Sequence, residues 1–561
     1  MAPRPVTALF PALPQRRPTW VCSSATNSRP KAPPRCLPTR PDRPMEHLPH
    51  ATGGCVYIVG AGPGDPGLLT TKGARFLSEA DVVFYDDLLD PRLLELAPGT
   101  CERVYAGHRG GRPADSTRRQ DELNQQLVEA ARAGRRVVRL KGGDPYVFGR
   151  GGEEAIALRD AGIPFEVVPG VSAAMAVPAY AGIPLTHRGL SQTATLVTGH
   201  EDPEATEVDW AALAKLGGTL VIFMGSRNAG AIAKALVAGG RQAETPAAAI
   251  QWGTRPQQHT LLATLGTLED RMSEADLRSP ILMVVGDVVE QREALEWFEG
   301  RSLFGRRVLI TRSREQSRPL RLMLEAEGGE VFELPLLHLT GPENPAPLET
   351  ALSELEHYGW VVFTSPNAVR FFFDPLQESG RDARALGHCR VAAIGSATAS
   401  RLGEVGIVPD LTPTSHSAAG LAEAFAQIDL EGARVLIPSS ALGATELDQE
   451  LERRGATVAR VTAYENLPPV PESVSIPEEL TDDAIDCVVF ASPSAVDHFC
   501  TVLGRAHALQ HLEKADIAVI GPTTAGAIID LGLKPEIQPA SSSVEDLVAA
   551  ISAHYRQIEQ A

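Results

Sequence analysis

Aromatic residues make up only 5% of the 561 residues, and no run of eighteen apolar residues occurs. The chain therefore offers no candidate membrane-spanning helix. Cysteine is sparse: Cys22, Cys36, Cys55, Cys101, Cys389, Cys487 and Cys500 are scattered, with no CxxC pair and no metal-ligand spacing. That pattern excludes a disulfide framework, marks no metal site and fits the reducing cytoplasm expected here. Positive charge is also short, with 52 Lys and Arg against 70 Asp and Glu and a formal net charge of −18. Such a balance argues against nonspecific nucleic-acid binding. Any polyanionic substrate must then be met by locally placed Arg, Lys and backbone N–H groups.

The length exceeds what one core supports, so three or four globular units are expected. Residues 1–50 stand apart, with twelve prolines and eight basic residues against the acids Asp42 and Glu46. A segment of this composition is expected to be disordered. Its Arg-rich, acid-poor character is that of a transit peptide, but its proline density would break a targeting helix. The preferred expectation is that Met45 is the true start.

The first apolar strand, Cys55–Gly60, runs into Ala61-Gly62-Pro63-Gly64-Asp65-Pro66. Asp65 stands where a dinucleotide loop would place its third glycine. Pro63 and Pro66 keep a helix from starting inside the loop. A helix is expected over 69–80 and a strand over Val82–Tyr85, which ends in Asp86-Asp87. A carboxylate at the C-terminal end of a strand suits either a ligand edge or a simple turn. A strand over 101–106 leads into a basic, glycine-rich loop, 107–112, read either as a solvated loop or as an anion clamp. A helix is expected over 120–133. The central stretch follows: RLKGGDPYVFGRGGEE, Arg139 to Glu154, with five glycines. Gly142-Gly143 allows close backbone approach, Asp144 can accept from an amine or ribose, and Glu153 and Glu154 suit the N-terminus of a helix expected over 154–161. Further strands are expected at 193–198, 219–224, 247–250, 258–264 and 281–285. Their short connections imply a more antiparallel second lobe.

VGAGPGDPGLLT, YDDLL, RLKGGDPYVFGRGGEE, VPGVSAA, AYAGIPLTHR, FMGS, QWGTRPQQ and SPILMVVGDVV occur in order. Residues 51–300 thereby resemble the uroporphyrinogen-III C-methyltransferases among the tetrapyrrole methylases. The resemblance implies two α/β lobes with S-adenosylmethionine between them. It places the cofactor at Pro63, Gly142, Gly143, Asp144, Val147, Ser172, Ala173, Met224 and Gly253. It makes Asp86 the proton acceptor and implies a homodimer. The family's proton-donor lysine is here His108, a departure. His108 is expected to be a weaker anion contact, dispensable for chemistry.

From Leu303 the sequence repeats at an offset of about 127 residues. RVLIT at 307 returns as RVLIP at 434, VVFTSPNAV at 361 as VVFASPSAV at 488, and VAAIGSATA at 391 as IAVIGPTTA at 517. Each copy reads as alternating strands and helices, a small doubly wound parallel sheet. The Ser, Thr and Gly residues at its strand ends suit helix caps and anion-binding helix N-termini alike. No nucleophile, metal cluster or titratable dyad accompanies them. The pattern resembles uroporphyrinogen-III synthase over residues 303–561. That resemblance implies one lobe from 303–338 plus 471–561 and another from 340–470. It implies Tyr464 as the cleft tyrosine that assists loss of the substrate hydroxyl, and contacts at Thr311, Ser365, Ser396, Ser492 and Thr523, with no cofactor for this half.

The expected whole is an α/β bifunctional enzyme: a two-lobed methylase unit followed by a bilobed synthase unit. It would close hydroxymethylbilane to uroporphyrinogen III and methylate that product twice to precorrin-2, toward sirohaem or cobalamin. Small tetrapyrroles are the expected partners, without nucleic acid, membrane or metal. Two rivals are weighed: an active methyltransferase with a degenerate C-terminal binding module, and a nicotinamide oxidoreductase on the GxGxG loop.

Overall fold

A computed structural model describes residues 54–107, 113–201, 203, 206–312, 314–336, 338–415, 417–441, 446–467, 476–477, 480 and 484–560. The N-terminal extension, with the Met45 question, lies outside the described residues.

The first sheet is built from β1 (Cys55–Gly60), β2 (Val82–Tyr85), β3 (Glu102–Tyr105), β4 (Arg136–Lys141) and β5 (Phe165–Val168). Its order is β3-β2-β4-β1-β5, and every pairing is parallel. The apolar runs of its strands are continuous because helices cover both faces. Val59, Leu77, Val83 and Val138 pack on one side, and Val56, Ile58, Leu127 and Val137 on the other. The helix over Pro113–Arg132 starts earlier than expected, with a proline at its first position, where the missing N–H costs nothing. A short 3-10 turn does start at Pro66, capped by Asp65, whose Oδ1 accepts from Gly67 N at 2.7 Å. The prolines exclude an α-helix there but not this turn.

The second sheet holds β6 (Ala194–Thr198), β7 (Thr219–Phe223), β8 (Pro246–Gln251), β9 (His259–Thr264) and β10 (Ile281–Val285) in the order β6-β7-β10-β8-β9. Apart from the parallel β6–β7 pair, its pairings are antiparallel, as the short connections imply.

The repeated half forms two further sheets. One has β11 (Arg307–Ile310), β12 (Glu330–Glu333), β18 (Cys487–Phe490) and β19 (Asp516–Val519), in the order β12-β11-β18-β19, all parallel. The other has β13 (His338–Thr340), β14 (Trp360–Phe363), β15 (Arg390–Ala393), β16 (Arg434–Ser440) and β17 (Thr457–Leu467), in the order β13-β17-β16-β14-β15. Only the β13–β17 pairing of that sheet is antiparallel. The first of these sheets takes two strands from each sequence copy, and the second takes three from the first copy and two from the second. The copies are equivalent in sequence but interleaved in space, and β13 and β17 carry the chain across. No helix among the described residues is long and apolar enough to cross a membrane.

Candidate functional site

The loops that leave β1 and β4 touch backbone to backbone. Gly62 N donates to Gly143 O at 3.3 Å, and Gly143 N to Gly62 O at 2.8 Å. Gly143 has φ of +66°, a region that penalises a side chain. Gly170, after β5, comes so near that a Cβ would lie 2.3 Å from Gly143 O. Asp144 ties this arrangement together: Oδ1 accepts from Tyr146 N at 2.9 Å and Oδ2 from Gly170 N at 3.1 Å. Its carboxylate therefore shapes the loop, and a ligand would share it.

The second sheet brings its own loops to the same place. Thr254 Oγ1 accepts from Asp65 N at 3.0 Å. A Cβ on Gly253 would lie 2.4 Å from Val177 Cγ1. Val177 belongs to the helix Ala173–Tyr180, whose cap is Ser172, accepting from Ala174 N at 3.3 Å. The rings of Phe148 and Phe223 lie 5.0 Å apart, next to Val147 and to the exposed Met224. Pro63, Gly142, Gly143, Asp144, Val147, Ser172, Ala173, Met224 and Gly253 all sit on these converging segments. Five of the six described non-glycine residues with positive φ also lie here: Phe148, Arg150, Met224, Trp252 and Thr254. Such strain persists where surrounding structure enforces it, and it concentrates at ligand sites. Asp65 has a further job, accepting from Tyr180 OH at 2.6 Å. Burial, reinforced by that carboxylate, pushes the phenol pKa far up.

Beside the glycine loops lies a buried charge cluster. Asp86 Oδ1 accepts from Arg139 Nη2 at 2.5 Å. Arg139 Nε reaches Glu154 Oε1 at 3.1 Å, and Lys141 Nζ reaches the same oxygen at 2.9 Å. Arg139, Lys141 and Glu154 are all buried. The helix that carries Glu154 starts at Gly151, behind the left-handed Arg150, three residues earlier than expected. Glu154 is thus not simply a first-turn acid favoured by the helix dipole. It is the shared acceptor of two cations, while Glu153 pairs with Arg150 at 2.7 Å. Burial opposes ionisation of Glu154, but Arg139 and Lys141 outweigh it and hold its pKa below the usual carboxyl range. Burial, together with the Arg139 charge, lowers the pKa of Lys141. One carboxylate serving two cations leaves the lysine the less compensated. The sequence signal for this cluster is the pair of basic residues Arg139 and Lys141, two apart in the strand RVVRLK. His108 lies outside the described residues.

In the repeated half, helix caps occupy the C-terminal ends of the strands. Ser365 accepts from Ala368 N at 3.0 Å and Ser492 from Ala495 N at 3.3 Å. At the other copied pair of strand ends, Gly395 and Gly521 are the caps and offer no side chain. Ser396, next to Gly395, and Thr523, two residues after Gly521, are exposed. Thr311 is fully buried, and its hydroxyl donates to Val489 O at 2.8 Å. That hydroxyl fastens two strands and is not turned to a cleft. Tyr464 OH lies 3.1 Å from Ser365 Oγ, with the Phe371 ring stacked on it at 5.6 Å. Two residues along the same strand, Asn466 Nδ2 donates to Ser494 Oγ at 3.3 Å. The crossing strand therefore reaches helix N-termini of both lobes, through Tyr464 in one and Asn466 in the other.

The family model described as tetrapyrrole (corrin/porphyrin) methylases matches residues 55–269, and that of uroporphyrinogen-III synthase HemD matches residues 319–549. The porphyrin biosynthesis protein HemD of Ruminiclostridium josui is 37% identical over 485 residues, covering 86% of this chain and 94% of that protein. The chain belongs to both families. It is a tetrapyrrole methylase unit fused to a uroporphyrinogen-III synthase unit. The siroheme synthase of Stutzerimonas stutzeri is 49% identical over 253 residues, 45% of this chain and 54% of that protein. The chain thus spans about half the length of the siroheme synthases it matches. Among solved structures, uroporphyrin-III C-methyl transferase from Thermus thermophilus, complexed with S-adenosylhomocysteine, is 42% identical. It covers 42% of this chain and 99% of its own, at a TM-score of 0.37.

Proposed function

We infer that the chain is a bifunctional enzyme of tetrapyrrole biosynthesis. Its synthase unit closes hydroxymethylbilane to uroporphyrinogen III. Its methylase unit methylates that product twice, to precorrin-2, which leads toward sirohaem or cobalamin. The observation that carries the methylase reading is the convergence of five loops from two sheets beside the buried Asp86–Arg139–Glu154 cluster. The donor is S-adenosylmethionine, and it supplies a sulfonium-bound methyl group.

The chain's own residues fit that donor. The Gly142–Gly143 backbone allows close approach, and the Ser172 helix N-terminus presents a positive dipole end. Met224 and Val147 add apolar contact, and Gly253 keeps the space that a Cβ would claim. Methyl transfer to an electron-rich pyrrole carbon needs the two reactants aligned above all else. Asp86, held at one oxygen by Arg139, has its other oxygen to take the proton that the methylated carbon's neighbourhood must lose. In the synthase unit Tyr464 assists departure of the bilane hydroxyl. The helix N-termini capped by Ser365 and Ser492 hold the acetate and propionate arms in the ring-closing conformation. The enzyme works in the cytoplasm as a homodimer through its methylase unit, on small tetrapyrroles, without nucleic acid, membrane or metal.

The test is anaerobic incubation with hydroxymethylbilane, with and without S-adenosylmethionine, followed by isomer-resolved chromatography. Isomer III without the donor, and a dimethylated type III product with it, are expected. Isomer I alone would overturn the synthase reading and leave the second half a binding module.

A further inference from the structure

Most arginines that this fold takes out of water meet an acceptor, although Arg241 Nη1 is buried without one among the described residues. Arg139 meets Glu154 and Asp86, Arg292 meets Glu299 at 2.6 Å, Arg460 meets Asp448, and Arg241 donates to Gly218 O at 2.6 Å. Arg312 differs. It is partly buried, yet its side chain makes no hydrogen bond or ion pair with a described residue. Burial lowers the pKa of its guanidinium, and no carboxylate among the described residues offsets the effect. A charge withdrawn from water without a partner is costly.

The position of Arg312 says what would return that cost. Ile310 pairs with Val489 in the parallel ladder, and Thr311 is bound to Val489 O through both its N–H and its hydroxyl. Arg312 follows directly, so it leaves the sheet edge beside Ala491 and Ser492. Ser492 caps the next helix and lies 3.1 Å from Ser494 Oγ, which receives Asn466 of the crossing strand. Arg312 therefore stands on the lobe edge that the crossing strand contacts, two residues of that strand from Tyr464. The groups just named on that edge are neutral: serine hydroxyls, an amide and helix N–H groups. Arg312 adds a full positive charge in a planar fork.

We propose that Arg312 is a substrate-binding residue of the synthase unit, a guanidinium that receives a side-chain carboxylate of the linear tetrapyrrole. The assignment rests on the synthase reading above and names the group that anchors its polycarboxylate substrate. A fork–carboxylate pair fixes orientation as well as charge. One arm anchored on the first lobe sets where the bilane lies relative to Tyr464.

The test uses the full chain with Arg312→Met and Arg312→Lys, assayed anaerobically on hydroxymethylbilane, with thermal unfolding measured without ligand. A lost charged hydrogen bond is expected to raise KM for Arg312→Met by about tenfold to a hundredfold. Its kcat should stay within about threefold, since the proton-handling groups remain. Arg312→Lys should fall between, keeping charge but not the fork. The Tm of Arg312→Met should equal or exceed that of the parent, because an uncompensated buried charge is removed. An unchanged KM in Arg312→Met overturns the proposal. So does a Tm several degrees lower, which would mark a structural role. The parent enzyme run alongside keeps the two readings apart: isomer I from the parent means that the synthase reading has failed and the Arg312 assignment with it.

Discussion

Arg92, on the turn beyond β2, holds Asp90 with Nη2 at 2.6 Å and ion-pairs through Nη1 with Glu325, on the first helix of the synthase unit. Arg321, one turn back on that helix, reaches Glu333 at 3.0 Å and approaches Glu95 at 4.0 Å. The two units therefore meet through charge, close to the segment that begins with Asp86. Both partners of the central pair remain partly exposed, which limits its strength. A double-mutant cycle with Arg92→Ala and Glu325→Ala should return a coupling of about 1 kcal/mol that weakens in high salt. Additive single effects would show that the pair does not hold the units together.

Glu154→Gln leaves Arg139 and Lys141 buried without their shared anion. Breaking such a pair costs about 3–5 kcal/mol. Glu154 has its folded-state pKa depressed, so its contribution is present above the ordinary carboxyl range and is lost as pH falls through the folded value. The Tm gap between parent and variant should be wide at pH 7 and narrow progressively as pH falls below the ordinary carboxyl value of about 4. A gap that stays constant over that range would refute the assignment.

Asp86→Asn keeps the shape of the side chain and removes the carboxylate proposed as the proton acceptor. Methyl transfer should slow by about 10²- to 10⁴-fold, with binding of S-adenosylmethionine retained. His108→Ala, at the position where the family has lysine, should cost less than about a hundredfold. A larger loss with unchanged folding would make His108 a participant in the chemistry.

Gly253→Ala drives a methyl group against Val177 Cγ1, 2.4 Å from the ideal Cβ position. The helix capped by Ser172 or the 252–258 loop must then move, at a cost of roughly 1–3 kcal/mol. Calorimetry should show weakened S-adenosylmethionine binding with bilane closure intact. Tight binding by the variant would place the cofactor elsewhere.

Tyr464→Phe removes the hydroxyl next to Ser365 but keeps the ring stacked on Phe371. Isomer III formation should fall by about tenfold rather than vanish, because positioning carries most of the catalysis. Complete loss would give the hydroxyl a larger share.

The strands were the most legible part. β2 and β10 match the expected ranges residue for residue, and β1 does so too, because burial on both faces leaves uninterrupted apolar runs. Helix starts were less legible. The one at Gly151 hides behind a glycine pair and a left-handed Arg150 that offers no side-chain cap. Local sequence also says which loops are glycine-rich but not that they meet, since contacts such as Asp65 with Thr254 join distant segments. Thr311 has the cap-like chemistry expected of a contact, yet its neighbour in the ladder claims its hydroxyl. Arg312 carries no local pattern at all, because what distinguishes it is that it meets no partner among the described residues after folding.

The interleaving of the two copies has a consequence for synthesis on the ribosome. The sheet that contains β13 to β17 is complete once Leu467 has emerged, so that lobe can close as a nested insert. β11 and β12, made earlier, must wait for β18 and β19, and β11 meets no partner on its other flank until Cys487 arrives. A chain broken between the copies would therefore take two strands from each of the two sheets.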